Sequence, residues 1–234
     1  MSRRIVHIIV AAGTGSRYGA RLPKQFLPLD GDRVVLMSTI DAFRQRHGEE
    51  VILVISREME EHWLDACRAV GFETPRLVYG GSTRHQSVAN ALKSLGTVGP
   101  DDIVTVHDGA RPVVSAALIE RILEPLTAGR SRAVVPAVAV TDSLRQIEPD
   151  GTSRAVDRSL FRAVQTPQAF IARDLIAAFE QTETAEMTDE ATAIERAALG
   201  PIELVAGDVH NIKITNPGDI EIARIYLQNI HDRG

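Results

Sequence analysis

Runs of almost continuously apolar residues alternate along the chain with segments of helical period. The apolar runs are RIVHIIVAA at 4–12, EVILVIS at 50–56, DIVTVHD at 102–108 and RAVVPAVAV at 132–140. Strands that are apolar at successive positions are typical of a parallel sheet with both faces covered. The strand–helix repeats also favour right-handed crossovers. The pattern therefore predicts an α/β fold with an open, mostly parallel Rossmann-like sheet and helices on both faces.

The alternation breaks at about 139–166. A PDG turn at 149–151 lies there between residues of alternating polarity, which predicts a β-hairpin. The hairpin has no parallel neighbour in the strand–helix order, so we expect it to project from the sheet as an arm at about 139–160. Further along, we expect helices at about 171–182 and 188–199, strands at IELVAG and NIKIT, and a last helix capped by NPGD. The prediction is a single domain over 1–234 that carries this arm.

Composition and charge narrow the classes of function. The chain has 234 residues and a net charge of −5, so we expect neither a nucleic-acid surface nor a membrane surface. Aromatic residues make up only 4%, too few for base-stacking platforms. Cys67 is the one cysteine, and a single thiol forms no internal disulfide. The apolar run near the N-terminus is short and leads into a glycine loop, which indicates a buried strand rather than a secretion signal. We expect a cytoplasmic protein.

The first predicted strand leads into AAGTGSRYGARLPKQF at 11–26, which contains three glycines, two arginines, one lysine and no acid. It matches neither common nucleotide-binding loop. Gly19 lacks the lysine that a P-loop needs next, and Tyr18 stands where the dinucleotide motif needs its third glycine. Backbone N–H groups of such a loop bind phosphate, and Arg17 and Lys24 add two cations. A plain turn with solvated charges is the alternative.

Two further polar clusters follow predicted strands, and in open α/β sheets ligands bind beyond the carboxyl ends of the strands. Gly80 and Gly81 lead into a capped helix, whose N-terminus suits an anion or a base edge. A simple turn, with Ser87 on the helix face, is the alternative. Asp108 ends a strand within VHDGARP and is placed to approach Mg²⁺ or a ribose hydroxyl. We interpret the neighbouring His107 as a structural, hydrogen-bonded histidine.

Two cations stand out in the last third of the chain. Arg158 and Lys213 each lie in an otherwise apolar sequence, where a cation is costly unless it meets an anion. That anion is either a substrate phosphate or an acid such as Asp157 or Asp189.

The chain shows no nucleophile–base pair. GxSxG is absent, and Cys67 lies within a predicted helix without basic surroundings. A phosphate monoester is itself ionised near neutral pH and needs no general base. It needs cations that cancel the repulsion between two anions and stabilise an in-line transition state at phosphorus. Arg17 and Lys24 therefore suit a nucleotidyl transfer in which a phosphate attacks the α-phosphorus of a nucleotide and pyrophosphate leaves.

Six motifs occur in order along nearly the whole chain. They are AAGTGSRYGARLPKQF, GGSTRHQSV, VHDGARP, VDRSLFRAVQTPQAF, TDEATAIE and NIKITNPGDIEIA. Together they resemble the 2-C-methyl-D-erythritol 4-phosphate cytidylyltransferases of the non-mevalonate isoprenoid pathway. The resemblance implies that 2-C-methyl-D-erythritol 4-phosphate attacks the α-phosphorus of CTP, which forms 4-diphosphocytidyl-2-C-methyl-D-erythritol and pyrophosphate. The opening loop is shared with many nucleotidyltransferases, whereas its combination with VDR, TPQ and NIK is far more specific.

The resemblance also implies roles for individual residues. Arg17 and Lys24 hold the CTP phosphates and stabilise the transition state. The cytidine pocket is lined by Ala11, Ala12, Gly13, Gly80, Gly81 and Ser87. The acceptor substrate is positioned by Asp108, Arg111, Ser143, Arg158, Thr166 and Lys213. Ser143 stands where the family has threonine, so the hydroxyl is kept and a methyl group is lost. No side-chain metal site is expected, because Mg²⁺ or another divalent cation is held mainly by the CTP phosphates.

The same resemblance implies a homodimer whose arm reaches across to the partner subunit. Ribitol-5-phosphate cytidylyltransferases are one alternative; they share the opening loop and TPQ but tend to lack VDR, which is present here at 156–158. An NAD-binding oxidoreductase is an alternative from a different class, and Tyr18 argues against it. A nucleotide sensor without catalysis is the third. The chain ends at Gly234, soon after the last predicted helix, so we expect an enzyme with one activity.

Overall fold

The computed structural model describes residues 3–13, 22–44, 48–182 and 187–231. Within these ranges the strands are β1 (Ile5–Val10), β2 (Pro28–Asp30), β3 (Arg33–Val34), β4 (Glu50–Ile55), β5 (Arg76–Tyr79), β6 (Ile103–Asp108), β7 (Ala133–Ala139), β8 (Arg145–Ile147), β9 (Ser153–Ala155), β10 (Arg162–Val164), β11 (Gln168–Ile171) and β12 (Glu203–Ala206). The helices are α1 (Val35–Arg44), α2 (Glu60–Val70), α3 (Arg84–Ser94), α4 (Ala116–Thr127), α5 (Ala172–Gln181), α6 (Glu190–Arg196) and α7 (Asp219–His231).

Eight of the described strands form the central sheet. Its hydrogen-bonded order is β10-β7-β11-β6-β1-β4-β5, and β12 also pairs with β7. The pairs β1–β4, β1–β6, β4–β5 and β7–β12 are parallel. The predicted α/β fold with a mostly parallel sheet is therefore confirmed.

Two antiparallel strands of the sheet were not predicted. β11 runs antiparallel to both β6 and β7, and β10 runs antiparallel to β7. All four residues of β11 are buried. A fully buried strand has the same apolar pattern in either direction, so the sequence pattern did not reveal its orientation.

Alternate residues of the central strands enter apolar clusters on opposite faces of the sheet. Ile9 and Leu53 face the cluster formed with α1, α2 and α4. Ile8 and Val54 face the cluster formed with α3, α5 and α6. Helices thus cover both faces, as predicted, and α7 packs separately against β2 and the start of α1. The neighbouring parallel strands β6, β1, β4 and β5 bring their carboxyl ends together at one edge of the sheet.

The predicted hairpin is confirmed at the PDG turn. β8 and β9 pair antiparallel as a separate two-stranded sheet, with Ile147 opposite Ser153. Gly151 in the turn has a φ of 83°, a conformation that a residue with a Cβ rarely adopts. Every residue of both strands is exposed.

The predicted strand at NIKIT is wrong. Residues 211–215 are not a strand. The Ile214 N–H donates to the Ala110 carbonyl oxygen at 2.9 Å, and the Thr215 N–H donates to the Asp219 carboxylate at 2.7 Å. These isolated bonds hold the segment in place of a neighbouring strand. Its alternating apolar and polar residues therefore do not form the ladder of backbone hydrogen bonds that defines a strand. Among the described helices, none is both long enough and apolar enough to cross a membrane.

Candidate active site

A cleft of about 600 Å³ lies beyond the carboxyl ends of β1, β4, β5 and β6. Its lining comes from four segments at the ends of these strands and from four further residues, Lys24, Gln25, Ser87 and Lys213. The lining residues are Val10–Gly13, Lys24, Gln25, Ser56–Glu58, Gly80–Arg84, Ser87, Asp108–Ala110 and Lys213. This is where an open α/β sheet places its ligand.

The wall after β1 is held by Gln25. The buried Gln25 amide donates to the carbonyl oxygens of Ala11 and Gly13, at 2.7 and 2.9 Å. Lys24 directly precedes Gln25 in a short 3-10 turn and lines the cleft. Gln25 therefore fixes the position of Lys24 relative to the end of β1. Arg17 lies outside the described residues.

The wall after β5 depends on a close approach of backbone. A Cβ at Gly80 would lie 2.4 Å from the Ala12 Cβ and 2.8 Å from the Ser87 hydroxyl, so only glycine fits between them. The Ser87 hydroxyl accepts from the Gly81 N–H at 3.1 Å and donates to the Thr83 carbonyl at 2.9 Å. Ser87 thus ties the glycine turn to the start of α3 and holds its backbone at the cleft wall.

Asp108, the last residue of β6, lies at the centre of an ionic cluster. Its carboxylate is 2.9 Å from the Lys213 ammonium, 3.4 Å from the Arg111 guanidinium and 3.4 Å from the Arg84 guanidinium. Burial alone would raise the pKa of Asp108, but the charges of Arg84, Lys213 and Arg111 outweigh it and hold this pKa well below its usual range. Asp108 is therefore a permanent anion that organises three cations.

A hydrogen-bonded layer supports Asp108 from behind. The Asp108 N–H donates to the Thr166 hydroxyl at 3.1 Å, and the same hydroxyl lies 3.1 Å from the His107 Nδ1. The second ring nitrogen of His107 lies 3.1 Å from the Arg111 carbonyl oxygen. Burial lowers the pKa of His107 to about 4, so this ring is neutral at pH 7. The arrangement is that of a structural histidine.

Arg84 is held from the other side by Glu190, the first residue of α6. Both Glu190 carboxylate oxygens accept from the guanidinium, one of them at 3.1 Å. Glu190 is only 1% exposed. Burial raises the pKa of Glu190, and the Arg84 charge opposes that rise. Arg84 therefore bridges two carboxylates and lines the cleft.

The sequence-predicted residues divide into three groups. The cleft lining contains Ala11, Ala12, Gly13, Lys24, Gly80, Gly81, Ser87, Asp108 and Lys213. Arg111 and Thr166 contact Asp108 from the layer behind it. Ser143 and Arg158 lie in or next to the arm and do not line this cleft.

The predicted environment of Arg158 is wrong. Its side chain is exposed rather than surrounded by apolar groups, and its guanidinium donates to the Thr141 carbonyl oxygen. Asp157 accepts from the Ser159 N–H, and Asp189 accepts from Gln168 and Thr192, so neither acid takes the expected role of its ion-pair partner. The apolar letters around Arg158 belong to an exposed surface.

Sequence reasoning missed Arg57 and Glu58, which line the cleft after β4, and three residues that hold parts of the site in place: Gln25, Arg84 and Glu190. All three stand inside the quoted motifs, as the Q of LPKQF, the R of STRHQSV and the E of TDEATAIE. The available signal was a polar residue within a motif. Arg84 and Glu190 are 106 positions apart in the sequence, and no local pattern predicts that such a pair will meet.

The side chains that line the cleft can be compared with the ligands that the predicted divalent cation needs. The described residues contain no group of three His, Cys, Asp or Glu side chains that could hold a metal ion. Asp108 and Glu58 are the acids of the lining, and Asp108 already meets three cations. Mg²⁺ commonly keeps several waters and is bound through one or two carboxylates plus substrate phosphates. The residues present fit that arrangement, with phosphate oxygens as the main ligands.

Comparisons with known proteins agree with one another. The family model for 2-C-methyl-D-erythritol 4-phosphate cytidylyltransferase (IspD) matches residues 5–229. A relative of that name from Bacteroides thetaiotaomicron is 41% identical over 94% of this chain and 98% of its own length. The crystal structure of the Francisella tularensis enzyme of that name has a TM-score of 0.78 at 30% identity and covers 95% of this chain and 99% of its own. The one from Thermus thermophilus has a TM-score of 0.72 at 33% identity, covering 94% and 98%.

Proposed function

Because the chain belongs to the 2-C-methyl-D-erythritol 4-phosphate cytidylyltransferase family, we propose that its cleft transfers the cytidylyl group of CTP to 2-C-methyl-D-erythritol 4-phosphate and releases pyrophosphate. The observation that carries the proposal is the charge of the cleft. Among the described residues, four basic side chains (Lys24, Arg57, Arg84, Lys213) and two acidic ones (Glu58, Asp108) line it, a net of +2 in a protein of net charge −5. Such a local concentration of cations suits two phosphorylated substrates.

The chemistry follows from bringing two anions together. The acceptor phosphate is already ionised, and one of its oxygens attacks the α-phosphorus of CTP in line with the departing pyrophosphate. Lys24, with Arg17 from the same loop, stabilises the charge that builds up on the equatorial and leaving oxygens. Mg²⁺ supplies further neutralisation of the triphosphate when it is bound. No protein group has to remove a proton from the nucleophile.

The two ends of the cleft differ in how they recognise a ligand. Ala11–Gly13 and Gly80–Gly81 offer backbone groups and little side chain, which suits the edge of a pyrimidine base and its ribose. The Asp108–Lys213 pair offers a carboxylate for hydroxyl groups and an ammonium for a phosphate, 2.9 Å apart. We assign the first end to the cytidine and the second to the methylerythritol phosphate.

We extend the proposal to a homodimer. Residues 1–234 form one nucleotidyltransferase domain in this proposal, and about 139–160 are its dimerisation arm. Large apolar side chains are exposed along the arm and on β10 directly after it, with Ile147 exposed by 69%, Leu160 by 80% and Val164 by 47%. Contiguous exposed apolar surface marks protein interfaces. Arg158 lies in this region and away from the cleft of its own chain, so we assign it to the cleft of the partner subunit.

The proposal also places the enzyme in the cytoplasm. CTP is an intracellular nucleotide. Cys67 is a free thiol buried within α2, and a free thiol requires no oxidising compartment. Burial raises the pKa of Cys67 to about 11, so the thiol is protonated at neutral pH and takes no part as a nucleophile.

Pyrophosphate release tests the proposed reaction. Purified protein with CTP and Mg²⁺ is supplied with 2-C-methyl-D-erythritol 4-phosphate or, in a parallel reaction, with ribitol 5-phosphate. We expect rapid release with the first acceptor and at least tenfold lower kcat/KM with the second. Faster turnover of ribitol 5-phosphate would contradict the assigned acceptor. CTP binding without pyrophosphate release from any acceptor would show a sensor rather than a transferase.

A further inference from the structure

We propose that Glu190 is a positioning residue for the acceptor end of the cleft. By holding Arg84, it fixes the orientation of the Asp108 carboxylate, and that carboxylate in turn holds the Lys213 ammonium at the acceptor end. This inference rests on the proposed transferase function. Glu190 itself does not line the cleft, whereas Arg84, Asp108 and Lys213 do. Its influence therefore passes through Arg84.

The geometry shows a relay of three contacts. Glu190 accepts from Arg84 with both carboxylate oxygens. The Nη2 of Arg84 lies 3.1 Å from Glu190 Oε2 and 3.4 Å from Asp108 Oδ1. The other oxygen, Asp108 Oδ2, is 2.9 Å from Lys213 and 3.4 Å from Arg111. The two oxygens of Asp108 thus have separate partners, and Glu190 draws Arg84 away from the first of them.

The start of α6 is built so that Glu190 points inward. The Gln168 amide donates to Asp189 at 3.0 Å, and its oxygen accepts from the Ala191 N–H at 3.1 Å. Asp189 caps the helix by accepting from the Thr192 N–H at 3.1 Å. Since Gln168 opens β11, which pairs with β6, the helix start is tied to the strand that ends in Asp108. The TPQ and TDEA motifs thereby act together.

A buried ion pair of this kind is not explained by stability. Desolvating both charges offsets most of their attraction, and apolar residues of similar volume often stabilise a fold as well or better. A carboxylate that is 1% exposed and directed at a cleft-lining arginine is better explained by what it does to that arginine. Without the Glu190 charge, the nearest acid to Arg84 is Asp108. Arg84 then moves onto Asp108 and competes with Lys213 for its carboxylate.

The test separates the acceptor from the nucleotide. In Glu190→Gln we expect KM for 2-C-methyl-D-erythritol 4-phosphate to rise at least tenfold and kcat to fall. The affinity for CTP, measured by calorimetry without acceptor, stays within threefold of the wild type. Glu190 lies behind the cleft, and the removal of its negative charge adds no repulsion for the anionic nucleotide. Arg84→Lys keeps both charges but loses the two-pronged contact, and we expect the same split between acceptor and nucleotide.

The chain offers a matched control at the opposite end of the sheet. Glu50 begins β4 and, like Glu190, is an arginine-bound carboxylate; its partners are Arg4 at 2.6 Å and Arg76 at 3.2 Å. Glu50→Gln likewise removes the charge of an arginine-bound carboxylate, and we expect it to leave both KM values and kcat unchanged.

Three results would overturn the inference. The first is an unchanged acceptor KM in folded Glu190→Gln. The second is an equal loss of acceptor and CTP affinity, since that pattern indicates general damage. The third is wild-type kinetics in Arg84→Lys, which decides the matter even if Glu190→Gln does not fold. An absence of turnover in the wild-type protein would instead overturn the proposed function, before any variant is compared.

Discussion

The cleft and the arm are opposite kinds of surface on one chain. The cleft lies at the ends of the central strands, among them β6, whose residues are all buried. Its charged groups contact one another: Asp108 meets three cations, and Arg84 meets two acids. The arm strands β8 and β9 are exposed at every residue, and large apolar side chains there face outward. The charged cleft residues are positioned by contacts within the chain, whereas the arm leaves large apolar side chains exposed, which the partner subunit covers in the proposed dimer.

The difference shows in two arginines, Arg84 of the cleft lining and Arg158 of the arm. Arg84 is 28% exposed and is held by carboxylates from α6 and β6. Arg158 is exposed and donates to the carbonyl oxygen of Thr141 on the arm's own stem. A loosely held, exposed arginine beside exposed Leu160 and Phe161 is explained if the partner subunit completes its surroundings.

The largest expected effect is at the cleft. Lys24→Ala removes a preorganised cation from the reacting phosphates, so we expect kcat to fall by about 10²–10³, or ~3–4 kcal/mol. Arg17→Ala is expected to do the same. Because the Gln25 amide still ties the loop to β1 in Lys24→Ala, we expect the Tm of this variant to stay close to that of the wild type. Steady-state pyrophosphate release and a thermal melt check both points, and full activity in Lys24→Ala would show a solvated charge without function.

The next largest effect is at the arm. Burying one leucine side chain stabilises by about 1.5–3 kcal/mol, and a two-fold dimer contains two copies, so Leu160→Ser should raise the dimer dissociation constant by at least about 10², the lower end of the ~3–6 kcal/mol for two side chains. Ile225→Ser on α7 is a matched control, since Ile225 is also exposed, by 56%, but lies off the arm. Sedimentation over a concentration series measures association. An association constant for Leu160→Ser equal to that of the control would remove the arm from the interface.

A third effect sharpens the contrast between cleft and arm, because it concerns only His107 in the buried layer behind Asp108. The pKa of His107 is about 4 in the fold and about 6.5 in the unfolded chain. The unfolded state therefore binds the proton first as pH falls, and His107 costs stability between pH 6.5 and 4. From pH 7 to 4.5 this amounts to about 2 kcal/mol of unfolding free energy.

His107→Gln tests this dependence. Urea unfolding at pH 7 and pH 4.5 should show that the variant loses about 2 kcal/mol less than the wild type on acidification. The variant also lacks hydrogen bonds to Thr166 and Arg111, but that defect acts at both pH values. Equal losses of stability in both proteins would mean that the His107 ring is not held neutral by burial.

Local signals in the sequence were sufficient to predict much of this architecture. Buried strands are apolar at successive positions, glycines follow them where backbone must approach closely, as at Gly80, and a PDG turn has one common structure. The strand ends at Asp108 and Gly80 and the hairpin at Gly151 could therefore be located from residues within a few positions of each other.

Contacts between distant segments could not be predicted in this way. The direction of β11, the ion pair of Arg84 with Glu190 and the tie between Gln25 and Ala11 depend on which segments meet in the fold. The failed expectation for Arg158 has the same cause. Apolar neighbours in sequence indicate burial only when another element covers them, and Leu160 and Phe161 are exposed by 80% and 44%.

The smallest expected effect is the most direct test of the comparison. Lys24 belongs to the cleft and Arg158 to the arm, and we expect Lys24→Ala and Arg158→Ala to be inactive as separate homodimers. If Arg158 acts in the partner's cleft, a mixed dimer has one site with both defects and one site with neither. Random subunit exchange makes about half the dimers mixed, so roughly a quarter of the wild-type activity should return.

The opposite result is equally clear. If Arg158 serves the cleft of its own chain, every site in a mixed dimer keeps one defect, and no activity returns. Two different affinity tags allow the mixed dimer to be purified, so that failed subunit exchange is not mistaken for this outcome. The purified mixed dimer should then have about half the wild-type activity per dimer, since one of its two sites is intact. A purified mixed dimer that stays inactive would show that the arm and the cleft of one chain work together, and the assignment of Arg158 to the partner's cleft would be wrong.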